Sequence, residues 1–184
     1  MNVIPTEIPG VLIIEPKVHR DPRGFFLESW EQARYASHGI GPQFVQDNHS
    51  RSQKGTLRGL HAQLLQPQGK LVRAVRGEIF DVAVDGRPSS PTFGKSVGVT
   101  LSDENFRQLW VPPGMFHGFA VVSEIAEVEY KCSAPYARAD EVGIRWNDPA
   151  LGIVWPVHEP LLSPKDAEAP TLAEVREKLA KAGW

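Results

Sequence analysis

Cysteine is almost absent from this sequence. Cys132 is the only one in 184 residues, so no intramolecular disulfide can form. No stretch approaches the roughly 18 consecutive apolar residues of a membrane-spanning helix. The opening segment Met1-Asn2-Val3-Ile4-Pro5-Thr6-Glu7 has neither the cationic start nor the long apolar run of a secretory signal. These absences predict a cytoplasmic protein with no membrane partner. Positive charge is not in excess either. Twenty Lys and Arg stand against 22 Asp and Glu, interspersed along the chain, for a net charge of −2. That argues against a nucleic-acid-binding face, while a small anionic ligand would need only a few local cations.

Paired metal ligands are also missing. The six histidines are His19, His38, His49, His61, His117 and His158, and no two are separated by a single residue. The His-x-His pair that often holds a metal in small β-barrels is therefore lacking, and no Glu follows His61 at short range. A site built from His49, His61 and His117 is the metal arrangement left open, and the expectation is that no metal is bound.

What the chain has in quantity is punctuation. Sixteen Gly and 16 Pro break it at short intervals, with runs rich in Val, Ile and Phe between them. That pattern predicts an all-β sandwich or barrel. Expected strands cover Val11–Ile14, Phe25–Trp30, Leu71–Val75, Ile79–Val84, Val97–Leu101, Gln108–Val111, Gly118–Val122 and Glu127–Cys132. Strands do not alternate with long helical patterns, which argues against a parallel α/β sheet. Hairpins are expected at Arg76-Gly77-Glu78 and Pro112-Pro113-Gly114. Thr171 and Glu174 form a capping box ahead of Leu172, Val175 and Leu179, predicting a helix to about Lys181. A shorter helix is expected over Glu31–Ser37. The length suits one domain spanning 1–184, with no linker or repeat. Trp110 and Trp155 read as core, and Trp146 as neighbour to a turn at Asn147-Asp148-Pro149.

Strand alternation sorts side chains by face. Asp81, Ala83 and Asp85 oppose Phe80, Val82 and Val84. Val128, Tyr130 and Cys132 share a face, as do His117, Phe119 and Val121, and Leu57, Gly59, His61 and Gln63. One interior could thus receive His61, His117, Tyr130 and Asp81. Ionisable groups facing a barrel lumen are costly unless they pair or work. The inventory suits proton transfer. A histidine can act as base near neutral pH, a tyrosine as acid, and a lysine beside a developing enolate oxygen supplies electrostatic stabilisation. Taken singly, each has a blander reading. His61 could be a satisfied core histidine, Tyr130 an anchored hydroxyl, Lys70 an edge lysine, and Asp166 a turn or cap residue after Ser163-Pro164. Arg23 and Arg58 each flank a glycine and could meet a diphosphate.

Six blocks, in order, carry a more specific signal. They are Asp21-Pro22-Arg23-Gly24-Phe25-Phe26-x-Glu28; Phe44-Val45-Gln46-Asp47-Asn48-His49-Ser50; Arg58-Gly59-Leu60-His61-x-Gln63 with Gln68-Gly69-Lys70-Leu71-Val72-Arg73; Pro112-Pro113-Gly114-x-x-His117-Gly118-Phe119; Trp146-Asn147-Asp148-Pro149; and Leu162-Ser163-x-Lys165-Asp166. Together, from about Gly10 to Pro170, the chain resembles the dTDP-4-dehydrorhamnose 3,5-epimerase family. The resemblance implies a cupin-type jelly roll, or double-stranded β-helix barrel, with a few short peripheral helices including one at the C-terminus. It implies a homodimer without metal or cofactor. The implied activity is epimerisation of C3 and C5 of dTDP-4-dehydro-6-deoxy-D-glucose in dTDP-L-rhamnose biosynthesis. His61 would be the base, Asp166 its orienting partner, Lys70 the enolate stabiliser and Tyr130 the acid. Arg23, Phe26, Glu28, Gln46, Asn48, Arg58, His117, Tyr136 and Lys165 would contact the dTDP-sugar, some of the early ones from the partner subunit. The alternatives are a single-centre epimerase or ketoisomerase, a metal-dependent cupin, and a non-catalytic sugar-binding barrel. Two positions depart from the family pattern: Ala62 follows the catalytic His where an aromatic is usual, and Phe116 stands where a small residue is usual. Both are expected to reshape the sugar pocket.

Overall fold

The computed structural model describes residues 1–41 and 43–184. Its strands, in chain order, are β1 (Asn2–Pro5), β2 (Leu12–Glu15), β3 (Val18–Asp21), β4 (Gly24–Leu27), β5 (Gln46–Gln53), β6 (Leu57–Gln63), β7 (Lys70–Arg76), β8 (Glu78–Asp85), β9 (Ser96–Ser102), β10 (Gln108–Val111), β11 (Met115–Val121), β12 (Ile125–Cys132) and β13 (Glu141–Gly143). One sheet runs β1-β2-β10-β7-β12-β5 and the other β13-β6-β11-β8-β9, while β3 and β4 pair only with each other. This is the jelly-roll architecture of the cupin type that was expected.

The two sheets share an apolar interior. Val72, Ala74, Leu109 and Val128 of the first meet Ile79, Ala83, Leu101 and Phe119 of the second. The alternation assigned to β8, β11 and β12 holds: Asp81 faces inward with Ile79 and Ala83, while Val82 and Val84 face a second cluster outside. Helix α3 (Leu172–Lys181) closes that second cluster with Leu172, Val175 and Leu179, and its Thr171–Glu174 capping box is formed in both directions. Helix α1 (Gln32–Ala36) is capped by Glu31 and covers the outer face of the first sheet with Tyr35. Trp110 and Trp155 are buried as read.

Two expected hairpins are not hairpins. β7 and β8, on either side of Gly77, lie in different sheets, and so do β10 and β11 around Pro112-Pro113-Gly114. Turn residues announce a reversal of direction but not a pairing partner; here each turn carries the chain from one sheet to the other. The face assignment of β6 also fails in its first half. His117 pairs with His61, but Phe119 pairs with Arg58, so two residues of β6, Gly59 and Leu60, oppose one of β11, Gly118. This bulge turns Leu57 and Leu60 outward into the second cluster and leaves Arg58 facing inward with His61. Gly59, at φ +115°, makes it possible, because a Cβ there would lie 2.6 Å from the Cα of Gly118.

Candidate active site

The open end of the barrel holds a cavity of about 550 Å³. Arg58 and His61 of β6, Lys70 of β7, His117 of β11, Tyr130 of β12, Glu141 of β13, and Tyr136, Lys165 and Asp166 from loops and helix α2 (Pro164–Ala167) line it. An adjoining space of about 310 Å³ adds Gln46 and Asn48 from the inner face of β5. Ten of the thirteen residues singled out in the sequence therefore converge.

His61 and Asp166 are 105 positions apart in the chain, yet Nε2 of His61 lies 2.5 Å from Oδ1 of Asp166. The backbone explains the meeting. Leu161 bonds to the stretch just ahead of His61: its amide donates to the Gly55 carbonyl and its carbonyl accepts from the Leu57 amide. Ser163 then caps α2, with Pro164 at its first position, so the Asp166 carboxylate in its single turn is not used as the cap and is turned to His61. Burial would raise the Asp166 carboxyl, but hydrogen bonds from His61 and Ser163 outweigh it and hold it below the usual range.

Lys70 and Tyr130 face the cavity, and neither the Lys70 ammonium nor the Tyr130 hydroxyl has a hydrogen-bond partner among the described residues. Burial pushes the Lys70 ammonium below its ordinary value, with Cys132, Glu141 and Asp81 nearby opposing. Burial pushes the Tyr130 hydroxyl up, so it stays protonated well past neutral pH. Two polar groups kept in a lumen without protein partners are free to meet a ligand. Ser50 is a third such group: its buried hydroxyl also lacks a partner and borders the same cavity.

The remaining cavity residues are held by neighbours. His117 Nε2 bonds Asp81 Oδ1 at 2.7 Å. Arg58 Nε donates to the Ser52 hydroxyl at 3.0 Å. Gln46 donates to Asn48 at 3.0 Å and accepts from the Tyr136 amide at 2.9 Å. Lys165 donates to Glu141 at 2.5 Å, and the Tyr136 hydroxyl donates to the same carboxylate at 2.9 Å. Glu141 escaped the sequence reading. Its signal was the alternation Glu141-Val142-Gly143-Ile144, in which only Val142 and Ile144 are buried.

Arg23, Phe26 and Glu28 do not reach this cavity. They belong to the β3–β4 hairpin and the residue after it, where Arg23 pairs with Asp21, Glu28 pairs with Arg34, and Phe26 is 70% exposed. His49 lies on the outer face of β5 beside Glu127, so His49, His61 and His117 do not converge. Among the described residues no group of three or more His, Cys, Asp or Glu side chains could hold a metal ion. The expectation for Ala62 and Phe116 needs correction. Phe116 is fully buried in the second cluster against Trp184, outside the barrel, and Ala62 belongs to the same cluster, bordering only the smaller space. Phe116 thus lies in a packing layer away from the sugar pocket, whereas Ala62 lies in that layer and also borders the adjoining space. Among the described residues, no helix is long and apolar enough to cross a membrane.

Comparison with known proteins gives a consistent result. Residues 5–174 match the family model of dTDP-4-dehydrorhamnose 3,5-epimerase. A dTDP-4-dehydrorhamnose 3,5-epimerase of Shigella flexneri is 61% identical over 169 residues, 90% of this chain and 93% of the relative. A crystal structure of dTDP-6-deoxy-D-glucose-3,5-epimerase from Legionella pneumophila, in complex with dTDP-4-keto-L-rhamnose, superposes with a TM-score of 0.94 at 54% identity, covering 97% and 96% of the two chains. A dTDP-4-dehydrorhamnose 3-epimerase of Streptomyces niveus is 42% identical over 180 residues, 96% of this chain and 86% of the relative.

Proposed function

This chain belongs to the dTDP-4-dehydrorhamnose 3,5-epimerase family, and from that premise we propose that its cavity inverts C3 and C5 of dTDP-4-dehydro-6-deoxy-D-glucose, giving dTDP-4-dehydro-L-rhamnose. The observation that carries the proposal is the convergence of a His61–Asp166 pair with an unpartnered Lys70 and an unpartnered Tyr130 in one lumen.

The chemistry follows from the substrate. A proton on a carbon beside the C4 ketone can leave because the electron pair moves onto O4 as an enolate. Asp166 accepts from Nε2–H of His61, which leaves the lone pair on Nδ1 free to take the C5 or C3 proton. Lys70 meets the charge on O4. Tyr130 returns a proton to the opposite face, and the centre is inverted. No electrons are gained or lost overall. An oriented base and one oxyanion partner are each worth about 2–4 kcal/mol of barrier. Arg58, His117, Gln46, Asn48, Tyr136 and Lys165 fit the roles of sugar, diphosphate and base contacts.

The molecule works as a homodimer in this reading. The β3–β4 hairpin stands apart from both sheets and offers Arg23, Phe26 and Glu28 outward. The partner subunit's hairpin would bring those three residues to this cavity. Light scattering is expected to show a dimer at micromolar concentration; an active monomer would remove the claim.

The test of function is incubation with dTDP-4-keto-6-deoxyglucose in deuterated water, followed by NMR. Deuterium should enter at both C3 and C5 as the L-rhamno product appears. The existence of a 3-epimerase in the same frame makes the alternative outcome concrete: label at a single carbon would assign this chain to one-centre chemistry.

A further inference from the structure

The mechanism above gives Glu141 no task, yet the ring of His61 lies between two carboxylates. Nε2 faces Asp166, and Nδ1 lies 3.5 Å from Oε1 of Glu141. The two carboxylates are not equivalent. The Asp166 side chain is only 5% exposed. Glu141 sits on β13, at the edge of its sheet, and is joined to Lys165 and Tyr136, which are both more than half exposed. His61, Tyr136, Glu141, Lys165 and Asp166 also line a second groove of about 650 Å³ that is bordered by Arg138 and Glu168. These five side chains form the wall between that groove and the reaction cavity.

Inversion creates a need that such a wall can meet. Each inverted centre leaves one proton too many on His61 and one too few on Tyr130. An enzyme that inverts two centres must clear His61 before it can act as base again. Asp166 orients the ring, and its side chain is 5% exposed against 15% for Glu141.

We propose that Glu141 is the proton-exit residue of this site, an inference that rests on His61 being the base. The proton taken from the sugar carbon onto Nδ1 passes to Oε1 of Glu141. It then passes to water, which restores the Nδ1 lone pair and the charged carboxylate. Only N–H and O–H bonds change. The present separation of 3.5 Å exceeds a hydrogen bond and must close by about half an ångström, a small side-chain rotation. Burial would raise the Glu141 carboxyl, but hydrogen bonds from Lys165 and Tyr136 outweigh it and hold it below the usual carboxylate range. A proton that arrives there therefore moves on.

The test separates the first proton abstraction from the reset. Glu141→Gln keeps an acceptor oxygen but cannot carry the proton. With enzyme in excess over the 4-keto sugar nucleotide in deuterated water, its first C–H loss should stay within about twofold of wild type, while under turnover kcat should fall about tenfold or more. That lost turnover should rise with the concentration of a small buffer such as imidazole, whereas wild type should be indifferent to it. Glu141→Ala provides a second variant, whose turnover should be restored by formate occupying the vacated space. A purely structural role would lower both rates together and would not respond to buffer. Parallel loss of first abstraction and turnover, or turnover indifferent to buffer and formate in both variants, overturns the proposal. If wild type shows no C–H loss, or His61→Asn retains it, the fault lies with His61 as base and not with Glu141.

Discussion

Nε2 of His117 and Oδ1 of Asp81 lie 2.7 Å apart across β11 and β8, and the second oxygen of Asp81, wholly buried, has no protein partner among the described residues. The pair holds an imidazole against the cavity wall with a charge-assisted bond. Asp81→Asn keeps the shape and an acceptor but removes the charge, so His117 is less firmly aimed. We expect KM to rise and kcat/KM to fall about tenfold, equivalent to about 1.4 kcal/mol. Stability should hold or improve, because a buried carboxylate with one unpaired oxygen is costly. Steady-state kinetics and calorimetry check this; a steep fall in Tm with kcat/KM intact would make the pair structural only.

The first sheet's polar strand shows what sequence reading misses. β5, Gln46–Gln53, has no apolar alternation because its inner face borders ligand space rather than core, so it was absent from the expected strands. β7, β8 and β12, whose inner faces carry Val72, Ala74, Ile79, Ala83, Ala126 and Val128, match their expected ranges to within two residues. His61, Lys70 and Asp166 were legible through their motif blocks, and Tyr130, which lies in none of them, through strand alternation and the family resemblance. Asp166 reaches His61 by a long return of the chain that no local pattern encodes. Glu141 went unseen because its alternation, Glu141-Val142-Gly143-Ile144, is too short to stand out from a loop. The Gly59 bulge hid the inward turn of Arg58, since alternation assumes an unbroken strand.

Asp85 should govern much of the acid sensitivity. Its buried carboxylate accepts from Arg87, Ser90 and Thr92 at 2.6–3.0 Å. Burial pushes its pKa up, but these bonds outweigh it and hold it at about 2, against 3.8 ordinarily. A depressed carboxylate contributes stability that is present above its unfolded value and is lost as pH falls through the folded one. Asp85→Asn should therefore cost about 2 kcal/mol at pH 7, and the difference from wild type should shrink between about pH 4 and pH 2. Urea unfolding of both proteins across that range is the measurement; a pH-independent difference would sink the assignment.

Exhaustive chelation should leave turnover unchanged. In the proposed mechanism base, acid and oxyanion partner are all side chains, and the inversion changes no oxidation state overall. Dialysis against a strong chelator, followed by the coupled assay, is sufficient. Activity that vanishes and returns only with an added metal would reverse the reading.

His61 and Tyr130 should behave as separate acid–base partners on opposite faces of the sugar ring. Inversion requires a proton to leave one face and another to arrive on the other. A single base acting alone would return the proton to the side it came from, giving exchange without inversion. His61→Asn should therefore abolish both solvent-deuterium exchange and epimer formation, because no enolate forms. Tyr130→Phe keeps the ring and its packing against the barrel core but removes the acid, so exchange at the sugar carbon should outlast inversion. Lys70→Met should slow both together, since it weakens the enolate they share, by a factor of about 10² or more. One NMR time course per variant, following the C3 and C5 proton signals beside product, separates the three. If Tyr130→Phe inverts at the wild-type rate, another group must supply the second proton. Ser50, whose hydroxyl is buried and unpartnered beside the same cavity, would be the next candidate.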